Sequence, residues 1–315
     1  MSSVTMKPAV HPFRTDDPRL QTIHEKVLAG KELDLNDVTV LFASKDILAI
    51  GWLANYMREQ MHGHATQYGV DTMAFANGAE SGEAAEFVVL GSDVDRVGAA
   101  VANLRKHSAS AVVSAMTVEQ IAGNSAKGTL QKLRDAGVSS LLGSGAELFL
   151  PAVRKVIWNT TNTAEQRAEA RSLAAEARIQ VPAYVVQRTA SPEQQARELL
   201  SFRNVQAKAF SSISFDPDAT TDLNLVMTTG MQEMKQIAIA RLALGHIPHV
   251  RAYLQMLGGK LAQIALRFGA SSLDGTLLDA SEPQAARAAE LAREITVAGR
   301  EPHELSTVRR LIVTA

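Results

Sequence analysis

Residues 229–278 read TGMQEMKQIAIARLALGHIPHVRAYLQMLGGKLAQIALRFGASSLDGTLL. Apolar positions at helical spacing predict a helix over 231–244, with Ile237, Ala240, Arg241 and Leu244 in register. A strand follows over 249–254. Leu261, Ile264, Ala265 and Phe268 then make a second helical face, which Gly269 stops. Leu273 sits in a short last strand. Alternation of this kind is the mark of a parallel sheet covered by helices.

The same rhythm extends towards the N-terminus. Short apolar runs at 87–90, 111–115, 138–142, 181–186 and 210–215 predict strands, and helices are expected over 94–106, 129–136, 164–177 and 193–202. Asp93 is a candidate cap, Thr117 with Gln120 a capping pair, and Pro192 suits a first helical turn. Two helices are expected earlier, one carrying Leu20, Ile23, Val27 and Leu28, the other running from Ile47 to a stop at Gly63. Residues 65–75 are a strand candidate, and 285–297 a final amphipathic helix closed by Gly299. Residues 1–18, with three prolines, are expected to form a flexible arm and 19–315 a single domain. About seven βα-like units without a linker favour one α/β fold, a (β/α) barrel of the TIM type, over two domains. Chemistry in such a barrel gathers at the C-terminal strand ends. Gly91, residues 143–147, Gln187, Arg188, Ser214, Asp216 and 271–274 are expected there.

The 315 residues carry 32 basic and 33 acidic side chains, a net charge of −1. That balance argues against nucleic acid or an anionic membrane as the main partner. No apolar run reaches the ~18 residues a membrane span needs, and the first residues lack the apolar stretch of a signal peptide. The expectation is a cytoplasmic protein. The chain contains no cysteine, which excludes disulfides, thiol nucleophiles, thiolate zinc sites and iron–sulfur ligation by this chain.

Gly143-Ser144-Gly145-Ala146-Glu147 is the local motif with most chemical content. Its small residues would let backbone N–H groups approach a ligand, and Glu147 could accept from a ribose or an ammonium. The same residues also suit a tight βα turn with no ligand. His246 and His249 are three apart, a metal-ligand spacing on a helix, but Pro248 interrupts the segment and no carboxylate follows at ligand spacing. Asp216 and Asp218 could divide acid and base roles at a strand end, or simply turn the chain. Ser271, Ser272 and Asp274 are equally ambiguous. A hydrolase elbow is absent, because Gly143-Ser144-Gly145 lacks the GxSxG spacing.

Five stretches carry a resemblance, in order along the chain: 46–63 (DILAIGWLANYMREQMHG), 136–149 (AGVSSLLGSGAELF), 210–217 (FSSISFDP), 249–276 (HVRAYLQMLGGKLAQIALRFGASSLDGT) and 298–302 (AGREP). They resemble the aminofutalosine synthases, radical S-adenosylmethionine (SAM) enzymes of the futalosine route to menaquinone. The resemblance implies a TIM-type barrel, a CxxxCxxC loop holding a 4Fe–4S cluster, and SAM bound at the mouth.

The departures gather at that chemistry. The cluster loop and the helix after it are missing, a loss of about one βα unit (~30 residues) near the N-terminus. Ser144 replaces a glycine, Gln187 and Arg188 replace a His-bearing strand end, Leu254 a tryptophan, and Ser271-Ser272 an Asn-Asp pair. Gly145, Glu147, Asp274, Gly275 and Thr276 keep the family pattern.

The expectation is therefore an incomplete barrel without a 4Fe–4S cluster, tied to menaquinone synthesis but without radical chemistry of its own. It would act as the partner of an active radical SAM paralogue or bind a nucleoside-like ligand. Gly91, Gly143, Ser144, Gly145 and Glu147 are the candidate SAM-binding residues. Gln187, Ser214, Ser271, Ser272 and Asp274 are the candidate substrate pocket, and no metal ligands are assigned. One alternative is a non-redox enzyme with Glu147, Arg188 and Asp216 as catalytic groups. Another is a scaffold or homo-oligomer, since a missing unit would leave a sheet edge to cover.

Overall fold

Three helices lead into the first strand: α1 (Arg19–Leu28), α2 (Leu35–Ala43) and α3 (Ile47–His62). The computed structural model describes residues 12–70, 74–75, 86–122, 125–158, 160–214, 229–277, 283–305 and 309–313. Helix α2 was not expected, although Asp34 and Asp37 form a reciprocal capping box at its start. Most of the arm expected over 1–18 lies outside the described residues. Its last part is anchored rather than flexible: Phe13 stacks on His24 at 4.2 Å, and Thr15 Oγ1 donates to Asp46 at 2.7 Å.

Strands and helices then alternate. They run β1 (Ala65–Gly69), β2 (Ala74–Phe75), β3 (Glu86–Leu90), α4 (Val94–His107), β4 (Val112–Ala115), α5 (Val118–Ile121) and α6 (Ala126–Ala136). A one-turn 3-10 helix (Ala146–Phe149), α7 (Pro151–Trp158) and α8 (Ala164–Glu176) precede β5 (Ala183–Val186), α9 (Pro192–Leu200) and β6 (Ala209–Ile213). The chain continues through α10 (Gly230–Ala243), β7 (His249–Tyr253), α11 (Leu254–Ala265), β8 (Ser272–Asp274) and α12 (Gln284–Val297). Two unexpected strands end it, β9 (Glu301–Leu305) and β10 (Arg309–Val313). Asp93 caps α4, and Thr117–Gln120, Thr163–Gln166, Ser191–Gln194 and Thr229–Gln232 are capping boxes. Each such cap contributes about 1 kcal/mol.

The strands pair in parallel as β5-β6-β7-β8-β1-β9 and as β2-β10-β3-β4. The strand expected at 138–142 is reduced to Ser140, which bridges Ser114 on one side and Gln180 on the other. It thereby links β4 to the lead-in of β5. At the other junction β1 pairs with β9 from Ala65↔Glu301 to Gly69↔Leu305, and β2 with β10 at Ala74↔Arg310. Both pairings keep one offset, so β1 and β2, the described parts of the strand expected over 65–75, meet β9 and β10 in the same register. β10 also pairs with β3, from Arg309↔Glu86 to Val313↔Leu90. β9 thus lies beside β1 at the edge of the six-stranded sheet, and β10 lies between β2 and β3 in the four-stranded one.

Strand alternation sorts the core into layers. Phe87 and Val89 of β3 pack outward against α4 and α6, while Phe210, Val250 and Leu273 pack against α3, α10 and α11. The inward set comprises Val88, Leu90, Tyr184, Val186, Ile213 and Tyr253. Leu148, Phe149, Val153, Ile157 and Trp158, from the 3-10 helix and α7, pack on this inward set. The sequence after the GSGAE turn therefore fills the barrel with apolar side chains at the mouth end.

Candidate functional site

The mouth is built from strand ends. Gly143 has φ 127°, and a Cβ there would enter the Tyr184 ring, so only glycine fits. This turn brings two backbone N–H groups onto one oxygen. Glu147 Oε1 accepts from Gly143 N at 2.9 Å and Gly145 N at 3.0 Å, with Ser144 Oγ at 3.5 Å. Glu147 is fully buried. Its carboxylate does locally what a bound anion would do in an open nest, so these two donors are already engaged. From across the barrel, Arg251 Nη1 donates to the Ser144 carbonyl and lies 3.8 Å from Asp274 Oδ2. Asp274 Oδ1 accepts from Thr276 N at 3.0 Å. Gly145, Glu147, Asp274 and Thr276 therefore belong to one network that Arg251 ties together.

Below it, Tyr253 is buried and receives Ser211 Oγ at 3.2 Å, and burial raises its phenol above the ordinary value. Tyr184 donates to Glu119 Oε2 at 2.6 Å, and burial, reinforced by that carboxylate, raises its phenol well above the ordinary value. Both phenols stay protonated donors at neutral pH.

Several expected placements change. Gln187 leaves the mouth for the outer face of the sheet, where Nε2 donates to Ser212 Oγ and Glu233 Oε2, each at 3.2 Å. Arg188 Nη2 donates to the carbonyls of Ile157 at 2.8 Å and Trp158 at 3.2 Å, closing the last turn of α7. Ser271 is at the opposite end of the barrel. Its Oγ meets Arg241 Nη2 and His249 Nδ1, each at 3.1 Å, and His249 stacks on His62. Ser272 opens β8 opposite Gln67 and Arg251, one pleat below Asp274. Ser214, at the end of β6, directs its N–H at Met256 Sδ. Gly91 follows β3, and its carbonyl accepts from Gln120 Nε2 at 2.9 Å. Asp216 and Asp218 lie outside the described residues. Of the proposed trio of Glu147, Arg188 and Asp216, the two described members hold backbone.

Sequence reasoning missed Arg251, Tyr253 and Tyr184. A period-2 reading of HVRAY would have found Arg251, a charged side chain at an inward position two before Tyr253. A 4Fe–4S cluster does not fit this donor set, because the chain has no thiolate to offer. The GSGAE turn does not form an open cradle for SAM either, with its N–H groups on Glu147 and its first glycine against Tyr184. Among the described residues no cluster of three or more His, Asp or Glu is arranged to hold a metal, and no helix is long and apolar enough to cross a membrane.

Known proteins agree with this architecture. Aminodeoxyfutalosine synthase of Thermus thermophilus is 28% identical over 357 aligned positions, covering 93% of this chain and 96% of that enzyme. A 5-amino-6-(D-ribitylamino)uracil–L-tyrosine 4-hydroxyphenyl transferase of Methanococcoides burtonii is 29% identical, covering 60% of this chain and 59% of its own. No family model matches. Among solved structures, methylornithine synthase (PylB) superposes with a TM-score of 0.58 at 15% identity, over 89% of this chain and 97% of its own. The hydrogenase maturase HydG of Carboxydothermus hydrogenoformans gives 0.60 at 11% identity, over 90% of this chain and 79% of its own. At these identities the two structures speak for the fold alone, a parallel α/β barrel. By sequence this cysteine-free chain is similar to aminodeoxyfutalosine synthase over nearly its full length, and by fold it is an α/β barrel similar to those two solved structures.

Proposed function

We propose that the chain serves futalosine-route menaquinone synthesis without generating a radical, as the binding partner of a cysteine-bearing aminodeoxyfutalosine synthase. The observation that carries this reading is the pairing of β9 with β1 and of β10 with β2 and β3, in the part of the sheet where the resemblance expects the cluster-bearing unit. Absence of cysteine agrees with it. So does the inward-folded turn at Glu147, which supports a retained scaffold more than a retained SAM site. Non-redox catalysis by Glu147, Arg188 and Asp216 has less support, since Glu147 and Arg188 spend their polar groups on the main chain.

A direct test mixes the purified chain with a cysteine-bearing synthase from the same organism under anaerobic conditions. Co-elution as one complex in size-exclusion chromatography with light scattering is expected. Two independent peaks at micromolar concentrations would overturn the partnership.

A further inference from the structure

The chain has no cysteine, so its oxidisable sulfur lies in methionines. Among the described residues two methionines are exposed, Met231 by 48% and Met61 by 37%. Met231 lies in the first turn of α10. Met61 lies in the last turn of α3, and its Sδ accepts from Arg241 Nη1 at 3.2 Å.

Arg241 is fully buried. Its other hydrogen bonds go to the carbonyls of Gly269 and Ile247, each at 3.2 Å, to the carbonyl of Pro248 at 3.1 Å and to Ser271 Oγ at 3.1 Å. Every one of these acceptors is neutral. Burial lowers the guanidinium pKa to about 10, so the group is charged at neutral pH. A buried cation served by neutral groups gains from any stronger acceptor. The thioether is the weakest acceptor of the set, whereas a sulfoxide oxygen, towards which the S–O bond is polarised, is a strong one. Oxidation of this sulfur therefore supplies what the buried charge lacks.

We propose that Met61 is a peroxide-responsive modification site whose sulfoxide oxygen is received by Arg241. The sulfur attacks one oxygen of a hydroperoxide with the lone pair that the Arg241 N–H does not use. The O–O bond breaks, and hydroxide leaves and takes up a proton to become water. The sulfur is oxidised by two electrons to the sulfoxide, and the peroxide is reduced. Arg241 places positive charge beside the departing hydroxide. It then donates to the new oxygen, which the flexible methionine side chain turns towards it. The site is independent of the barrel mouth and of the partnership proposed above.

Hydrogen peroxide is added to the full chain at neutral pH, and each sulfoxide is followed over time by peptide mass spectrometry. Exposure alone would make Met231 react as fast as Met61 or faster. Met61 is expected to react roughly threefold faster than Met231, or more. Sulfoxide formation ordinarily destabilises a protein, but here the opposite is expected of Met61. Met61→Leu, at an exposed helix position, should fold, and given the same treatment it controls for oxidation of the other methionines. The change in melting temperature on treatment should be more favourable in the wild type than in Met61→Leu by about 1 °C or more. Oxidation of Met61 no faster than that of Met231, or a change in melting temperature no more favourable in the wild type than in Met61→Leu, would overturn the proposal.

Discussion

Gly143 shows how much one position can demand. Its φ of 127° and the Tyr184 ring against it both exclude a side chain. Gly143→Ala should therefore destabilise the protein by roughly 2–4 kcal/mol, combining backbone strain with overpacking, as a urea titration would measure. The motif around it was legible in sequence, and both of its readings were available there. What the sequence did not carry is that the fold brings Glu147 back onto the N–H groups of its own turn. Ser271 was misplaced for a related reason. A three-residue strand carries no register signal, and its partners Arg241 and His249 come from distant segments. The stacked pair of His62 and His249 gives a pH signature. Burial lowers His249 from 6.5 to about 4, with His62 and Arg241 adding repulsion, and it lowers His62 as well. The unfolded chain takes up protons below about pH 6.5 that the folded chain refuses, so stability is complete above that value and declines towards pH 4. After allowance for partial exposure, His249 contributes roughly 1–2 kcal/mol to that decline. Unfolding free energies at pH 7 and pH 5 should differ accordingly, and His249→Gln should flatten the difference. An unchanged slope in that variant would show that other groups govern it.

At the scale of elements, helices with caps and apolar faces were readable, as α4, α9 and α10 show. Helix α2 escaped because LNDVTVLFA mixes helix and strand signals, although Asp34 and Asp37 spell out its start. The last two strands escaped for a deeper reason. EPHEL is exposed along its whole length and carries no alternation, so nothing local reports that it pairs with a strand 236 residues earlier. Long-range pairing is decided by the strands that β9 and β10 meet, not by their own residues. Removal of residues 301–315 should leave β1 and β3 with unpaired edges. The truncated chain is expected to lose roughly 5 °C or more in melting temperature and to self-associate in size-exclusion chromatography. A monomer with unchanged melting temperature would mean that β9 and β10 contribute nothing to holding the sheets.

For the whole molecule, ancestry and chemistry separate. Similarity to aminodeoxyfutalosine synthase extends over 93% of the chain. The chain offers no thiolate, and at the mouth Glu147 and Arg251 hold the main chain. Barrel class was readable from the alternation of elements, and the lack of thiol ligands from a single count of cysteines. What could not be read was the pairing of β9 and β10, late in the chain, with β1, β2 and β3, early in it. Anaerobic reconstitution of the purified chain with iron, sulfide and reductant, followed by incubation with SAM, tests the central claim most directly. The account predicts no 4Fe–4S absorbance and no 5′-deoxyadenosine. Cluster absorbance together with SAM cleavage by this chain alone would contradict it.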